Sequence, residues 1–182
     1  YYNKPTQDGL FGHFTEIAQA VPELPVILYD IPGRVGGVAI EPSTSVRILK
    51  ENPNVTGRKE AAGLEHFLAS RQAIEQERRA GNIKQEVRYF SGDDSLNMAM
   101  ILHGADGVIS VVGNLDPKLT SELVDACRQG DVRRANELYW NQGFYALSKV
   151  LFIESNPIPI KAALAMRGEI QEVYRKPMVP MQ

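Results

Sequence analysis

The feature that most constrains the fold of this 182-residue chain is a regular alternation of short apolar runs with amphipathic segments. Tyr29, Lys59 and Ser91 each end such a run, and they follow one another about 30 residues apart, which is the size of a βα unit. A fourth run, Gly107 to Val112, follows at a shorter interval. No hairpin signal joins neighbouring runs, so we expect a parallel sheet with right-handed crossovers. The expected fold class is therefore α/β.

The same periodicities predict the individual elements. The apolar runs predict four strands, over residues 24–29, 55–59, 87–90 and 107–112. Helices are predicted between these strands and again after the last one, where residues 116–130 form one helix. Asp131 is expected to open a long helix that runs to about Phe152, and a last helix should reach Arg167.

Composition excludes several classes of function. The net charge is −2 and 43% of the residues are hydrophobic, so nothing points to a nucleic-acid partner. No apolar run approaches the roughly 18 residues that a membrane-spanning helix needs. The single cysteine, Cys127, excludes an internal disulfide and is expected to fill the core. These features predict a cytoplasmic protein without nucleic-acid or membrane partners.

Lys59 is the candidate nucleophile. It stands where the second predicted strand gives way to a loop, and ligands of parallel α/β sheets bind at the carboxyl ends of the strands. A lysine held among apolar strands loses solvation, which lowers its pKa and makes the amine nucleophilic. From this stretch alone, a solvated lysine at the end of a strand is the commoner interpretation.

Two further groups of polar residues have a structural and a functional interpretation. Asp93 and Asp94 could form an acid pair or part of a metal site, but no third ligand follows at a telling spacing. We interpret them as loop structure and helix capping. His13, His66 and His103 have no mutual spacing typical of a metal site, and we expect them on helix faces. The sequence therefore predicts no metal site.

Six motifs of the chain resemble, in order and spacing, those of the dihydrodipicolinate synthases, a family of pyruvate-dependent class I aldolases. Together they cover nearly the whole chain, and jointly they are very specific although none suffices alone. They are Tyr1–Gln7, Leu28–Arg34, Gly57–Gly63, Ser91–Asp94, Gly107–Val111 and Asn156–Lys161.

The resemblance implies a fold. The family has a TIM (β/α)8 barrel followed by a C-terminal helical extension. Against that pattern the chain looks truncated at both ends, because it starts after the fourth strand and stops before the last extension helix. The resemblance thus implies the C-terminal half of a barrel, with about four parallel strands, plus the helical extension. We expect residues 1–112 to form the partial barrel, and residues 113–182 to form the last barrel helix and the extension.

The resemblance also implies catalytic roles for three residues. The lysine that matches Lys59 condenses with pyruvate to a Schiff base, and the tyrosine that matches Tyr29 relays protons to and from it. The tyrosine that matches Tyr2 completes this relay from the neighbouring subunit, across a dimer interface. By spacing alone, an ordinary strand tyrosine is the favoured interpretation of Tyr29, and Tyr2 could be an exposed aromatic near a chain end.

Three more residues are implied as substrate-binding residues. Arg34 matches the arginine that binds the carboxylate of aspartate semialdehyde, a task that suits a planar fork of donors. Gly92 and Ile109 match residues that line the site, chiefly through their backbone. By spacing alone, Arg34 could be a solvated loop arginine. The resemblance implies no cofactor and no metal.

The function implied is that of a lyase that condenses pyruvate with aspartate semialdehyde in lysine (diaminopimelate) biosynthesis, as a homo-oligomer. A sister aldolase, such as N-acetylneuraminate lyase or a keto-deoxy sugar acid aldolase, is the enzymatic alternative. Arg34 favours the first, because a polyol substrate does not need a carboxylate clamp. From another class, the chain could be a truncated, non-catalytic remnant that acts only through oligomer contacts.

Arg58 departs from the family pattern, which has an aliphatic residue at this position. With Lys59 directed into the barrel, the alternation of side chains along a strand directs Arg58 towards the helices. An unpaired charge there is costly, so we expect its guanidinium to reach water or to meet a carboxylate.

Overall fold

The computed structural model describes residues 3–181 of the chain. Its sheet has four strands in the order β1-β2-β3-β4, and every neighbouring pair is parallel. This arrangement confirms the predicted α/β class and the predicted half barrel of parallel strands. The strands are β1 (Val26–Asp30), β2 (Val55–Glu60), β3 (Arg88–Ser91) and β4 (Gly107–Val108).

Helices separate the strands and then continue beyond the last strand. Among the described helices, none is both long enough and apolar enough to cross a membrane. The helices are α1 (Gln7–Ala20), α2 (Pro42–Glu51), α3 (Leu64–Arg79), α4 (Asn97–Leu102), α5 (Val112–Leu115), α6 (Pro117–Arg128), α7 (Val132–Asn136), α8 (Phe144–Val150) and α9 (Ile158–Met166).

Local capping explains where several helices begin. The Thr6 side chain accepts a hydrogen bond from the Gly9 amide at the start of α1. Asp116 caps α6 in the same way, directly before Pro117, and this agrees with the predicted start of that helix. Asp131 caps α7 as expected.

The fourth strand is shorter than predicted. Only Gly107 and Val108 pair with β3, whereas the apolar run continues to Val112. The Oδ2 atom of Asp94 accepts hydrogen bonds from the amides of Val111 and Val112, at 2.8 and 2.9 Å. These amides are therefore turned away from the sheet, and α5 begins where we expected strand.

The prediction of one long helix from Asp131 to about Phe152 is wrong. The chain instead forms α7, one wide π-type turn over Glu137–Asn141, and then α8. Gly143 lies between the π-type turn and α8. Its φ of 86° is a left-handed conformation that glycine adopts without steric cost. The break redirects α8, so that its residues reach the carboxyl edge of the sheet. The division of the chain after residue 112 stays a prediction.

The two faces of the sheet have different surroundings at β2. Arg58 and Glu60 point to the side that α2 and α3 cover and are almost fully buried. Lys59 points to the opposite side and is only half-buried. This alternation is what the pleat of a strand requires, and it separates a candidate reactive face from a packed face.

Candidate active site

Parallel pairing brings the two central predicted residues together. Tyr29 and Lys59 are direct partners in the register of β1 and β2. The Lys59 Nζ atom lies over the face of the Tyr29 ring, 3.9 Å from its centroid. No hydrogen bond joins Nζ to the tyrosine hydroxyl in this arrangement of the described residues. The pair can exchange a proton only after a small movement, or through a bound reactant.

The electrostatics of Lys59 suit a nucleophile. Burial lowers the pKa of its amine, and the carboxylate of Asp94 opposes this by favouring the charged form. The ring of Tyr29 also favours the ammonium ion, because the face of an aromatic ring attracts cations. Desolvation prevails, so a larger fraction of the amine is neutral than in an exposed lysine.

Tyr29 is suited to carry a proton. Burial raises the pKa of its hydroxyl, the charge of Arg34 lowers it, and the charge of Asp93 adds to the increase. The net direction is upward from an ordinary value of about 10, so the hydroxyl is protonated at neutral pH. It can therefore donate a hydrogen bond or a proton to a group bound at Lys59.

An open cavity of about 400 Å³ lies over the carboxyl edge of the sheet. Its volume is sufficient for a pair of small metabolites. Five of the six residues predicted from the resemblance line it, whereas the sixth, Tyr2, lies outside the described residues. The five are Tyr29, Arg34, Lys59, Gly92 and Ile109.

Gly92 is required by the path of the lysine side chain. A Cβ atom at this position would lie 2.9 Å from Cε of Lys59 and 3.0 Å from its Cγ. The Gly92 amide also donates a hydrogen bond to the Glu60 carbonyl at 2.7 Å, which fixes the loop after β3 against β2. Only glycine lets the lysine stem pass this loop without displacement.

Arg34 lies at the rim of the cavity, on the short 3-10 helix Pro32–Arg34 that follows β1. Its Nη2 atom donates to the Asn156 carbonyl at 3.1 Å, and its Nη1 atom donates to the Ser155 hydroxyl at 3.4 Å. These bonds hold the guanidinium in one orientation and leave other N–H groups for a ligand. Arg34 can therefore offer a fixed fork to a carboxylate.

The remaining predicted residues also have clear structural positions. The Ile109 amide donates to the Ser91 carbonyl at 2.9 Å, and its side chain is exposed at the cavity wall. Asp93 caps the turn after β3 by accepting from the Ser95 amide, while buried Asp94 binds the start of α5. The interpretation of the two aspartates as capping residues is confirmed.

Some residues of the cavity were not predicted from the sequence. Lys149 reaches it from α8, and Ser148 lies beside it in the wall. Lys149 forms no ion pair with any carboxylate that the structure describes. Its position depends on the break at Gly143, which no local pattern revealed. Asn156 belonged to a recognised motif, and that motif was the only available signal for its place in the wall.

Behind the candidate reactive face lies a buried group of charged and polar residues that we call the Arg58 cluster, formed by Asp30, Ser45, Arg58, Glu60 and His66. Nη2 of Arg58 lies 3.2 Å from Oδ2 of Asp30 and 2.9 Å from Oε2 of Glu60. Its Nη1 donates to the hydroxyl of Ser45, on α2. The expectation that Arg58 would meet a carboxylate is thus confirmed, with two partners.

His66 extends the cluster from α3. Its Nδ1 atom lies 3.3 Å from Oε2 of Glu60 and 3.5 Å from Oδ2 of Asp30. The hydrogen bond to Glu60 raises the pKa of His66 against the effect of burial. Burial alone would raise the pKa of Glu60, but His66 and Arg58 bring it below its usual value. Burial raises the pKa of Asp30, although Arg58 opposes this.

Asp30, Glu60 and His66 also have the spacing of a cation site, since one ligand atom of each lies within 4.8 Å of the others. The guanidinium of Arg58 already contacts both carboxylates at the centre of this group. A metal ion would have to approach a buried positive charge, which is unfavourable. Arg58 supplies the positive charge that the two carboxylates need.

Comparisons with known proteins agree with this geometry. The sequence pattern of the Dihydrodipicolinate synthetase family matches residues 1–182. The 4-hydroxy-tetrahydrodipicolinate synthase of Trichlorobacter lovleyi is 43% identical over 181 residues, and that of Helicobacter acinonychis is 41% identical over 180. These alignments cover 100% and 98% of the chain.

Solved structures show the same likeness. The dihydrodipicolinate synthase from Acinetobacter baumannii, solved in complex with pyruvate, superposes on the whole chain with a TM-score of 0.86 and 41% identity. The chain spans 58% of the length of that protein, and 58% and 56% of the two relatives above.

Proposed function

Because the chain belongs to the dihydrodipicolinate synthetase family, we propose that it carries out Schiff-base chemistry on pyruvate at Lys59. In this proposal the pyruvate adduct is joined to aspartate semialdehyde in lysine biosynthesis, so that the reaction is that of a lyase. The observation that carries the proposal is the Lys59 amine, whose pKa is lowered by burial and which faces an open cavity beside Tyr29.

The proposed chemistry begins with attack of the neutral Lys59 amine on the ketone carbon of pyruvate. A C–N bond forms and the carbonyl oxygen leaves as water, which gives an iminium ion. Loss of a proton from the methyl carbon then gives an enamine. The same carbon attacks the aldehyde carbon of the second substrate, the C=O double bond becomes a single bond, and the aldehyde oxygen takes up a proton. Water finally adds to the iminium carbon and releases the lysine.

Tyr29 and Arg34 have separate roles in this proposal. The hydroxyl of Tyr29 gives a proton to the departing oxygen and recovers it later; its raised pKa supports the protonated resting form and the recovery of the proton. Arg34 binds the carboxylate of the aldehyde substrate, which its fixed orientation at the cavity rim supports. Gly92 and Ile109 shape the wall around the adduct.

Borohydride trapping tests the proposal. The chain, and separately the complete product of its gene, are incubated with pyruvate and sodium borohydride, and the adduct is located by peptide mass spectrometry. A pyruvate-derived mass on Lys59 is expected. Tyr29→Phe should slow adduct formation without removing it, because the nucleophile remains. If both forms stay unlabelled at high pyruvate concentration, or if another lysine is labelled, the proposal is wrong.

The choice of aldehyde is tested separately. Arg34→Met should raise the half-saturating concentration of aspartate semialdehyde, because the variant lacks a charged partner for its carboxylate. The rate of the pyruvate adduct should change little. A polyol-type aldehyde that reacts faster than aspartate semialdehyde with the wild-type adduct would favour a sister aldolase.

We also propose that the chain acts as a homo-oligomer in the cytoplasm. Strands β1 and β4 are the edges of the described sheet, and Ile27 of β1 is 44% exposed. Open edges and exposed apolar side chains of this kind favour association. Sedimentation velocity tests this, since a single monomeric species across a wide concentration range would contradict it. The proposed contribution of Tyr2 from a neighbouring subunit depends on the same result.

A further inference from the structure

The Arg58 cluster joins four elements directly behind the reactive face. Asp30 comes from β1, Arg58 and Glu60 come from β2, and Ser45 and His66 come from α2 and α3. The side chains of Asp30, Arg58 and Glu60 are each at most 2% exposed. Such a group is stable only when each charge keeps its partners.

The orientations of the two carboxylates are fixed by backbone amides. Both oxygens of Asp30 lie 3.1 Å from the amide of Ile40. Oε1 of Glu60 accepts from the amide of Ala62 at 2.8 Å. The other oxygen of Glu60 and Oδ2 of Asp30 meet the same nitrogen of Arg58. The guanidinium therefore bridges β1 and β2 at a single point.

That bridge lies next to the reactive pair. In the sheet register Asp30 pairs with Glu60, and Tyr29 pairs with Lys59 one position earlier. Lys59 is thus flanked along β2 by two cluster residues, and Tyr29 is followed along β1 by a third. Any shift of one strand against the other at this bridge moves the amine relative to the tyrosine ring.

We propose that Arg58 is a positioning residue, whose guanidinium holds Asp30 and Glu60 together and thereby fixes Lys59 and Tyr29 relative to each other. The inference rests on the proposed Schiff-base function. It assigns Arg58 no contact with a substrate, because its side chain lies on the far side of the sheet from the cavity. Small displacements of reacting groups have large effects on rate, which makes such a role measurable.

The geometry favours arginine over another cation at this point. Two nitrogens of its planar fork serve three partners, which are Ser45, Asp30 and Glu60. A lysine ammonium is a point charge that cannot reproduce this spread. Arg58→Lys should therefore keep the charge balance but restore only part of the positioning.

The test measures the rate of borohydride-trapped adduct against pyruvate concentration in the chain and in the complete product of its gene. Arg58→Met should lower the limiting rate between about 10-fold and 100-fold. The half-saturating pyruvate concentration should stay within about twofold, because no pyruvate contact is removed. The limiting rate of Arg58→Lys should lie between those of Arg58→Met and the wild type. Arg88→Met is the matched control, since Arg88 begins β3 and its partners Glu86 and Asp106 lie at the opposite edge.

A second variant removes the cluster's charges together, in case Arg58→Met does not fold. Asp30→Asn, Arg58→Met and Glu60→Gln combined leave no buried charge unpaired. We expect this triple variant to fold but to keep the low limiting rate, since the bridge between the strands is still missing. A triple variant that folds and reacts at the wild-type rate overturns the inference.

A readout that needs no catalysis separates this inference from the proposed function. Competitive labelling with trace acetic anhydride over a range of pH follows the pKa of Lys59 directly. We expect water to enter between the strands of the Arg58 variants, and this should move the labelling profile of Lys59 to higher pH. If wild-type Lys59 forms no adduct, the proposed function is wrong. If the variants keep both the wild-type labelling profile and the wild-type trapping rate, the positioning role is wrong.

Discussion

Arg58 and Lys59 are neighbours on one strand, and both are basic, yet they lie in opposite surroundings. Arg58 is buried on the helix-facing side and meets two carboxylates and a hydroxyl. Lys59 faces an open cavity, where it contacts an aromatic ring and forms no ion pair with a described residue. The pleat of β2 alone separates the two environments.

The difference shows how one sheet can hold a paired, buried charge and a partly desolvated amine at adjacent positions. A charge that stays ionised in the interior needs partners, and those partners tie the strands together. A lysine that is to react needs the reverse, which is partial desolvation with little to stabilise its ammonium form. The packed face can therefore hold the open face in place without supplying any reacting group.

The largest effect is expected from Lys59→Ala. It should abolish the pyruvate adduct completely, while the free energy of unfolding changes by less than about 1 kcal/mol, because a half-buried lysine without an ion pair contributes little. Trapping and urea denaturation measure the two effects. Lys118→Ala, at an exposed position on α6, should retain full labelling. A strong loss of stability in Lys59→Ala would contradict the contrast between the faces.

Arg58→Met, unlike Lys59→Ala, should also lower the free energy of unfolding, by about 3–5 kcal/mol, because it removes the guanidinium that two buried carboxylates share. The combined change of Asp30→Asn, Arg58→Met and Glu60→Gln should recover most of that loss. Urea denaturation monitored by circular dichroism measures both. A single variant as stable as the wild type would show that the carboxylates find other partners.

Gly92→Ala sharpens the contrast on the reactive side. The new methyl group would displace the stem of Lys59, and we expect the trapping rate to fall about tenfold, which corresponds to about 1.4 kcal/mol in the barrier. Overall stability should change much less. Gly12→Ala is the control, because a Cβ at Gly12 in α1 meets nothing within 4 Å. An unchanged trapping rate in Gly92→Ala would mean that the lysine can take another path.

The smallest expected effect is on the pH dependence of the free energy of unfolding, through His66 on the packed face. The pKa of His66 is raised in the folded state, chiefly by its hydrogen bond to Glu60. Its stabilising contribution is therefore complete below an unfolded pKa of about 6.5 and is lost as the pH rises through the folded value.

The free energy of unfolding of the wild type should fall by about 1 kcal/mol between neutral and alkaline pH. We expect this decrease to be absent in His66→Gln. Urea denaturation at a series of pH values measures this slope. His103→Gln, at the exposed end of α4, should keep it. Identical slopes in the wild type and His66→Gln would show that the histidine does not titrate with the cluster.

The sequence by itself determined the order and the parallel arrangement of the elements. The spacing of the apolar runs required crossover connections, and those connections allow only one handedness. It also placed Tyr29 and Lys59 near the carboxyl ends of neighbouring strands, where they lie at one edge of the sheet, one residue before each strand ends. The motifs that resemble the family located Arg34, Gly92 and Ile109 in the same region. Each of these inferences depends on local patterns or on short, regular connections.

Tertiary structure alone decided where long-range hydrogen bonds override a local pattern. The fourth strand ends early because Asp94 captures two amides that the apolar run would have placed in the sheet. Lys149 reaches the cavity because the chain breaks at Gly143, which nothing in the helical pattern indicated. The partners of Arg58 come from three elements, β1, β2 and α2, and lie up to 28 residues away along the chain. Contacts of this kind depend on packing in three dimensions, and a one-dimensional pattern does not contain them.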